Sequence, residues 1–364
     1  MSTGKSRLPQ WLMPLSHKNK FIFNSSPRDF TVEEIPLYEF SGEGEHLVLK
    51  VRKKELTTWE MLDILSSHLG IKRRDIGYAG LKDKHAMTIQ YISLLAIHEP
   101  KLESFEHAQI KILDRVRHNN KIRIGHLKGN RFHLRFKKVL GIQKDMLESV
   151  LKWIKSNGVP NYFGHQRFGN YGDNWEEGKK IVSGEKKMRD RRSREFLISA
   201  YQSYLFNNWL SKRVELSRLL EDFSESDAEK VLELPEGTLA DTKKQSSFFK
   251  ILQGDVLMHY PYGRVFYADE VLEEATRFDE KDISPTGLIA GKKAKLAIDS
   301  ARVVESSFDE AINENGSRRY AWIFPTDIQG KYIPERAHFE LGFFLPKGCY
   351  ATNVVDMLRG YQES

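Results

Sequence analysis

Asp83 stands between Lys82 and Lys84 and next to His85, in the stretch Gly77-Tyr78-Ala79-Gly80-Leu81-Lys82-Asp83-Lys84-His85-Ala86. A carboxylate in such company has two uses. Solvated, it forms an ion pair with Lys82 or Lys84 and does nothing more. Partly buried, it is held ionised by the adjacent positive charge and can serve as a nucleophile or a base.

Three further clusters could do chemistry. Asn130 and Phe132 lie two apart in an apparent strand and so share a face. In line with Leu134 and Phe136, Phe132 reads as core; at the mouth of the strand, the amide and the ring could instead hold a nucleobase, since base–aromatic stacking contributes about 1–3 kcal/mol. The aromatic segment from Asn161 to Phe168 is either a hinge held by its own rings or a contact for RNA. Arg28-Asp29-Phe30-Thr31-Val32-Glu33-Glu34 reads as a turn entering a strand, with Glu33 or Glu34 solvated.

The charge pattern says what such chemistry would act on. The formal net charge is +7, and its distribution is uneven. Arg115, Arg117, Lys121, Arg123, Lys128, Arg131, Arg135, Lys137 and Lys138 fall in a stretch with no acidic residue, and Lys186 to Arg194 forms a second basic run around Asp190. Glu221 to Asp241 instead holds eight acids and one lysine and reads as a surface excursion. Charge this segregated points to a face that meets phosphate. A lone cysteine, Cys349, excludes an intrachain disulfide and a cysteine-based metal site. There is no GxGxxG, P-loop, HExxH or GxSxG pattern, so nucleotide cofactors and metals find no support. No stretch approaches the ~18 apolar residues of a membrane span, and the first residues lack the pattern of a signal peptide. A cytoplasmic protein is expected.

The elements that must position these residues alternate without a regular βαβ period. His46 to Lys53 reads as a strand with Leu47, Leu49 and Val51 on one face. Thr57-Thr58-Trp59-Glu60 is a capping box opening a helix that Gly70 stops. Thr88 to Ile97 reads as a strand, and Lys121–Leu127 and Arg131–Phe136 as two strands flanking a turn at Lys128-Gly129-Asn130. Lys144 to Asn157 is an amphipathic helix with Gly158 as its C′ residue. Ser193 is placed to cap a long helix to about Val214, burying Phe196, Tyr201 and Trp209. Gly254 to Tyr267 resumes strand patterning, Ile283-Ser284-Pro285-Thr286-Gly287 reads as a turn, Phe339–Phe344 as a strand and Ala351–Leu358 as a helix. The fold class is α+β, and the 364 residues suggest about two domains.

The four clusters, in this order, resemble the TruD family of tRNA pseudouridine synthases. The matching segments are Asp29-Phe30-x-Val32-x-Glu34, Gly42-Glu43-Gly44-Glu45-His46, Ala79 to Ala86, Leu127-Lys128-Gly129-Asn130-Arg131-Phe132 and Gly158 to Gly169, with a weaker match through Ser199-Ala200-Tyr201, Ile283 to Gly287 and Leu345 to Thr352. The resemblance implies a pseudouridine synthase catalytic domain with a mixed, bent sheet, formed by residues 1–157 and 304–364. An α+β TRUD domain, residues 158–303, would interrupt it, and RNA would lie in the cleft between. It implies isomerisation of uridine in tRNA, at position 13 (in tRNA-Glu for bacterial members), by a carboxylate without cofactor or metal. Asp83 would be the catalytic group, attacking C1′ or adding to C6. Lys82, Lys84 and His85 would help keep it ionised, Phe132 would stack on the extruded uracil and Asn130 would position Asp83 or the base. Arg28, Arg115, Arg117, Lys128, Arg131, Arg167, Arg191 and Arg192 are the cations expected to meet RNA, and a monomer is expected. The family often carries a lysine three residues before the proline of the first motif; here that position is Asn24, three before Pro27, leaving Lys20 or Arg28 as substitutes. A non-catalytic RNA-binding or tRNA-folding protein on the same scaffold is the competing expectation.

Overall fold

The computed structural model describes residues 8–360 apart from Gln10 and Ser25. Much of the amino-terminal stretch, where no signal peptide is expected, lies outside the described residues. The chain opens with β1 (Phe30–Pro36), β2 (His46–Lys53), α1 (Thr58–Leu69), β3 (Gly77–Tyr78), β4 (Met87–Leu95), β5 (Ile110–His118) and β6 (Leu127–Lys137), and leaves through α2 (Gly141–Asn157). Next come β7 (Val159–Pro160), α3 (Asn174–Val182), α4 (Arg191–Asp222), α5 (Glu225–Val231), β8 (Val256–His259), β9 (Val265–Tyr267), α6 (Val271–Asp279), β10 (Ile283–Ile289), α7 (Asp299–Glu305), β11 (Ser317–Tyr320) and β12 (Trp322–Ile323). β13 (Thr326–Ile333), β14 (His338–Pro346) and α8 (Ala351–Arg359) complete it.

Two compact units result. One comprises residues 19–151 and 325–349, the other 1–18, 152–324 and 350–364. The divisions expected at 157 and 303 therefore differ from those of the packing: the first falls inside α2 at 151/152, and residue 303 lies within α7. The cause is local. Trp322 and Ile323 of β12 pair with Val159 and Pro160 of β7, which holds the chain in the second unit to Phe324.

The first unit is built on an eight-stranded sheet in the order β13-β14-β6-β1-β4-β2-β5, with β3 added on β4. It is mixed, because β1 and β4 run parallel while the other pairs are antiparallel. α1 forms as its sequence dictates: the Thr57 hydroxyl accepts from the Glu60 amide, the Glu60 carboxylate accepts from the Thr57 amide, and Gly70 ends the helix in the left-handed conformation. Its Met61, Leu62, Leu65 and Leu69 bury against Leu47, Leu49, Val51 and Ile92 of β2 and β4. There is no turn at Lys128-Gly129-Asn130. β6 runs unbroken through it, paired with β1 on one side and β14 on the other. Gly129 is a close-approach residue rather than a turn residue, since a Cβ there would collide with the Leu345 carbonyl and the Phe344 ring. Residues 121–126, expected as a strand, are irregular, and the strand before them is β5.

In the second unit α4 is the spine. Asp190, not Ser193, caps it, accepting from the Ser193 amide. Tyr201 and Trp209 are buried as expected, but Phe196 is 47 % exposed. Ile283 to Gly287 is not a turn but part of β10, the buried strand between β8 and β11. Gly287 lets the Trp209 ring lie directly on that strand. The acidic stretch forms α5 and a turn, pinned where buried Glu229 accepts from the Leu239 amide at 2.8 Å.

Candidate active site

Strand alternation assembles one face of the first unit's sheet. Phe132 of β6 lies opposite Val32 of β1 and Phe343 of β14; Val32 lies opposite Thr88 of β4, and Thr88 opposite Lys53 of β2. All therefore project to the same side. Two residues further along β6, β1 and β4, on that side, come Asn130, Glu34 and Gln90, with Asn130 directly opposite Glu34. A row of rings thus gives way to buried polar groups: Glu34, Lys53, Thr88 and Gln90 are all at most 1 % exposed.

The loop between β3 and β4 carries Asp83 over this polar face and is anchored there residue by residue. The Lys82 amide donates to the Thr58 hydroxyl at 2.9 Å, and that hydroxyl donates to Gln90 at 3.2 Å. The Lys82 ammonium reaches into the sheet, donating to Asn130 Oδ1 at 2.6 Å and pairing with Glu34 at 3.0 Å. Because a lysine can only donate, the Asn130 amide must turn its oxygen to it. Asn130 therefore orients Lys82, not Asp83. Burial pushes the Glu34 carboxyl up from its ordinary range, opposed by the Lys82 ammonium.

Lys53 holds the Asp83 backbone. Fully buried, its ammonium donates to the Leu56 carbonyl at 2.6 Å and to the Asp83 carbonyl at 3.0 Å. Burial lowers its pKa to about 8, resisted by the Asp83 and Glu60 charges and aided by Lys82. Asp83 itself is exposed, as are Lys84 and His85. Lys84 is turned to Glu60, at 3.1 Å. Neither Lys20 nor Arg28 fills the place of the expected lysine. Lys20 is exposed, and Arg28 lines a cavity with Thr31 and His133 on the opposite face of the sheet.

Phe132 is 5 % exposed and stands in a row of rings, stacked on Phe30 at 6.2 Å and on Phe343 at 5.4 Å. Phe343 is also buried, so Phe30 carries the accessible surface of the row. Sequence reasoning missed Glu34, Lys53 and Phe30 as site residues, although the alternation carried a signal for each. Lys53 continues the Leu47-Leu49-Val51 face, and Glu34 continues the face of Phe30 and Val32.

The cations expected to meet RNA are dispersed. Arg115 and Arg117, on edge strand β5, are paired with Glu103 and Glu99. Arg131 pairs with Asp327 at 3.1 Å. Lys128 is exposed beside a cavity lined by Tyr38, Phe40 and Tyr91. In the second unit Arg191 pairs with Glu195, Arg192 is exposed, and Arg167 bonds Ser203 at 3.2 Å. The aromatic segment there is bolted in place: the buried Asn207 side chain bonds both the amide and the carbonyl of Phe163.

Comparison with known proteins agrees with this architecture. The family model described as tRNA pseudouridine synthase D (TruD) matches residues 20–189 and 186–357. The chain is 55 % identical over 340 residues to tRNA pseudouridine synthase D of Wolinella succinogenes, covering 93 % of this chain and 94 % of that one. It is 52 % identical over 343 residues to the protein of the same name from Sulfurimonas denitrificans, covering 94 % and 96 %. Among solved structures, a Methanosarcina mazei protein superposes with a TM-score of 0.72 over 96 % of both chains; at 19 % identity this speaks for the fold alone. Sequence and fold together define a pseudouridine synthase, an isomerase. The chain belongs to the TruD family of tRNA pseudouridine synthases.

Proposed function

We propose that this chain isomerises uridine at position 13 of tRNA, tRNA-Glu among its targets, with Asp83 as the reacting carboxylate and without metal or organic cofactor. It would act as a cytoplasmic monomer, with the unit of residues 19–151 and 325–349 as catalytic domain and the segment 158–303 in the TRUD domain. The observation that carries the reading is the mounting of Asp83: an exposed carboxylate on a loop whose anchors, Lys53 and Lys82, are buried and hydrogen-bonded. Exposure suits a substrate too large to enter a closed cavity, and rigid anchoring suits a group that must meet one atom.

The reaction balances without a co-reactant. The N1–C1′ bond breaks, the base turns, a C5–C1′ bond forms, the C5 proton leaves and N1 takes one up. The base must first leave its stack. Asp83 then attacks C1′ or adds to C6; either step needs an ionised carboxylate. The uracil would lie against the ring row, Phe132 backing the more accessible Phe30, with the Asn130 amide NH2 at the polar edge.

Release of tritium from a tRNA transcript labelled at C5 of uridine tests this. Wild-type protein should release it without added metal or nucleotide, and Asp83→Asn should be slower by more than about a thousandfold. Equal rates for the two would remove Asp83 from the chemistry. Tight tRNA binding without release from any transcript would favour a binding or folding protein.

A further inference from the structure

Beside the Asp83 loop lies a cavity of about 440 Å³ that the reaction does not use. Its walls include Trp59, Tyr78, Arg74, Lys121 and Arg123, and no acidic residue. Trp59 is 40 % exposed and meets Tyr78 edge-on at 5.4 Å, while the Arg73 guanidinium lies 4.8 Å over its ring. Ile124, at 75 % exposure, forms an apolar lip. Arg73 is neutralised by Asp63, but Arg74 and Arg123 have no carboxylate in ion-pair range among the described residues. Surface tryptophan and isoleucine beside unpaired arginines suit a flat apolar ring carrying a phosphate.

Position selects which ring. Trp59 follows Thr58, whose hydroxyl holds the Lys82 amide, and Tyr78 is the last residue of β3 before the Asp83 loop. The Gly125 amide donates to the Ala79 carbonyl at 2.8 Å, tying the Arg123–Ile124 segment to the base of that loop. The cavity around Tyr38, Phe40 and Tyr91 is also aromatic, but it includes Glu39 and Asp114, which repel phosphate.

We infer that the Trp59–Arg123 cavity is a second nucleotide site, which stacks one unpaired base of the tRNA flanking the target and binds its phosphate through Arg74 and Arg123. It rests on the tRNA reading above. Aromatic platforms with cations hold single-stranded nucleotides in this way, with little base preference.

The test is tRNA affinity and steady-state kinetics of the full-length Trp59→Ala and Arg74→Ala/Arg123→Ala variants, using transcripts with a single abasic nucleotide at successive positions around the target. KM should rise about 5- to 100-fold in each variant, while kcat at saturating tRNA changes less than about threefold. For one abasic position the Trp59→Ala penalty should disappear, which identifies the stacked nucleotide. Variants that bind and react like wild type on every transcript would overturn the site while leaving the activity standing. Trp59-dependent tRNA binding by a wild-type protein that releases no tritium would keep the site and overturn the activity. A wild-type protein that does not bind tRNA overturns both.

Discussion

Lys53 and Asp83 set a testable pH dependence. Lys53 is depressed to about 8 by burial, whereas in the unfolded chain it titrates near 10.5. Below about pH 8 it is charged in both states, and folding bears the full cost of burying the ammonium. Between about 8 and 10.5 the unfolded chain binds the extra proton, so this cost is relieved as pH rises. Activity should move the other way. If the ammonium holds the Asp83 loop and its charge, the rate should fall as pH rises through about 8. Lys53→Arg should shift that limb upward if it folds, and Lys53→Met should lower kcat below about pH 8 and abolish the limb; an unshifted limb in the arginine variant would assign the titration elsewhere. The Glu34–Lys82 pair is of a different kind. Removing one partner leaves a buried charge unopposed, so Lys82→Met should cost about 3–5 kcal/mol in chemical denaturation, with Glu34→Gln/Lys82→Met less damaging than the lysine change alone. Phe132→Ala should cost a similar ~3–5 kcal/mol of stability, while Phe30→Ala should weigh on activity more than on stability. Asp83 stands out in the sequence through the ordered motifs around it, since glycines and cations alone are equally compatible with a solvated ion pair. For Lys53 and Glu34 the alternation gives the face but not the role, because a charged residue on an apolar face reads as a strand end until its partners are known.

Strands and helices differ in how openly the sequence announces them. α1 was readable to the residue, since a capping box, a 3.6-residue apolar period and a stop glycine are all local signals. β6 was misread because Gly129 has its reason outside its own segment, in the carbonyl of Leu345 more than two hundred residues later. β10 was misread for a similar reason, with Gly287 making room for Trp209 of α4. A non-local cause leaves a local signature that mimics a turn. Gly129→Ala tests the interpretation. The added methyl must push β14 from β6, lowering stability by about 1–3 kcal/mol and displacing the adjacent Asn130, so that activity falls further than stability alone would dictate. A variant as stable and active as wild type would return Gly129 to a mere turn residue. The aromatic segment after α2 shows the converse: its rings suggested a hinge, but Asn207 fixes its backbone from a helix no local pattern connects to it.

Across the chain the basic excess was visible, but its pairing was not. The acid-free run from Arg115 to Lys138 draws partners from elsewhere, Glu99 and Glu103 among them, so composition overstated its free charge. Lys187, Arg189 and Arg192, before and at the start of α4, take part in no ion pair among the described residues. Affinity for tRNA should decline steeply with salt, and Lys187→Ala/Arg189→Ala/Arg192→Ala should flatten the log–log slope by roughly 2–3, as expected for three phosphate contacts at about 0.7–0.9 each. Arg115→Ala/Arg117→Ala should alter it less. A slope unmoved by the triple variant and strongly reduced by the double would reverse the assignment of free and neutralised cations.

The order of strands in the first unit has a consequence for how the enzyme is made. β14 completes the sheet between β13 and β6, yet it is residues 338–346, while β6 ends at 137. At about 5–20 residues per second of synthesis, the strand bearing Asn130 waits on the order of 10–40 s with one side lacking its native neighbour. The nascent chain thus carries an open sheet edge through most of its translation, a risk that its arginines and lysine at 131, 135 and 137 help to manage by keeping that edge charged. A chain cut short before β14 would hold Asp83 and every lysine around it, but not the strand against which Asn130 and Phe132 are aligned. Catalytic competence therefore arrives late, and truncated products should be inert rather than promiscuous.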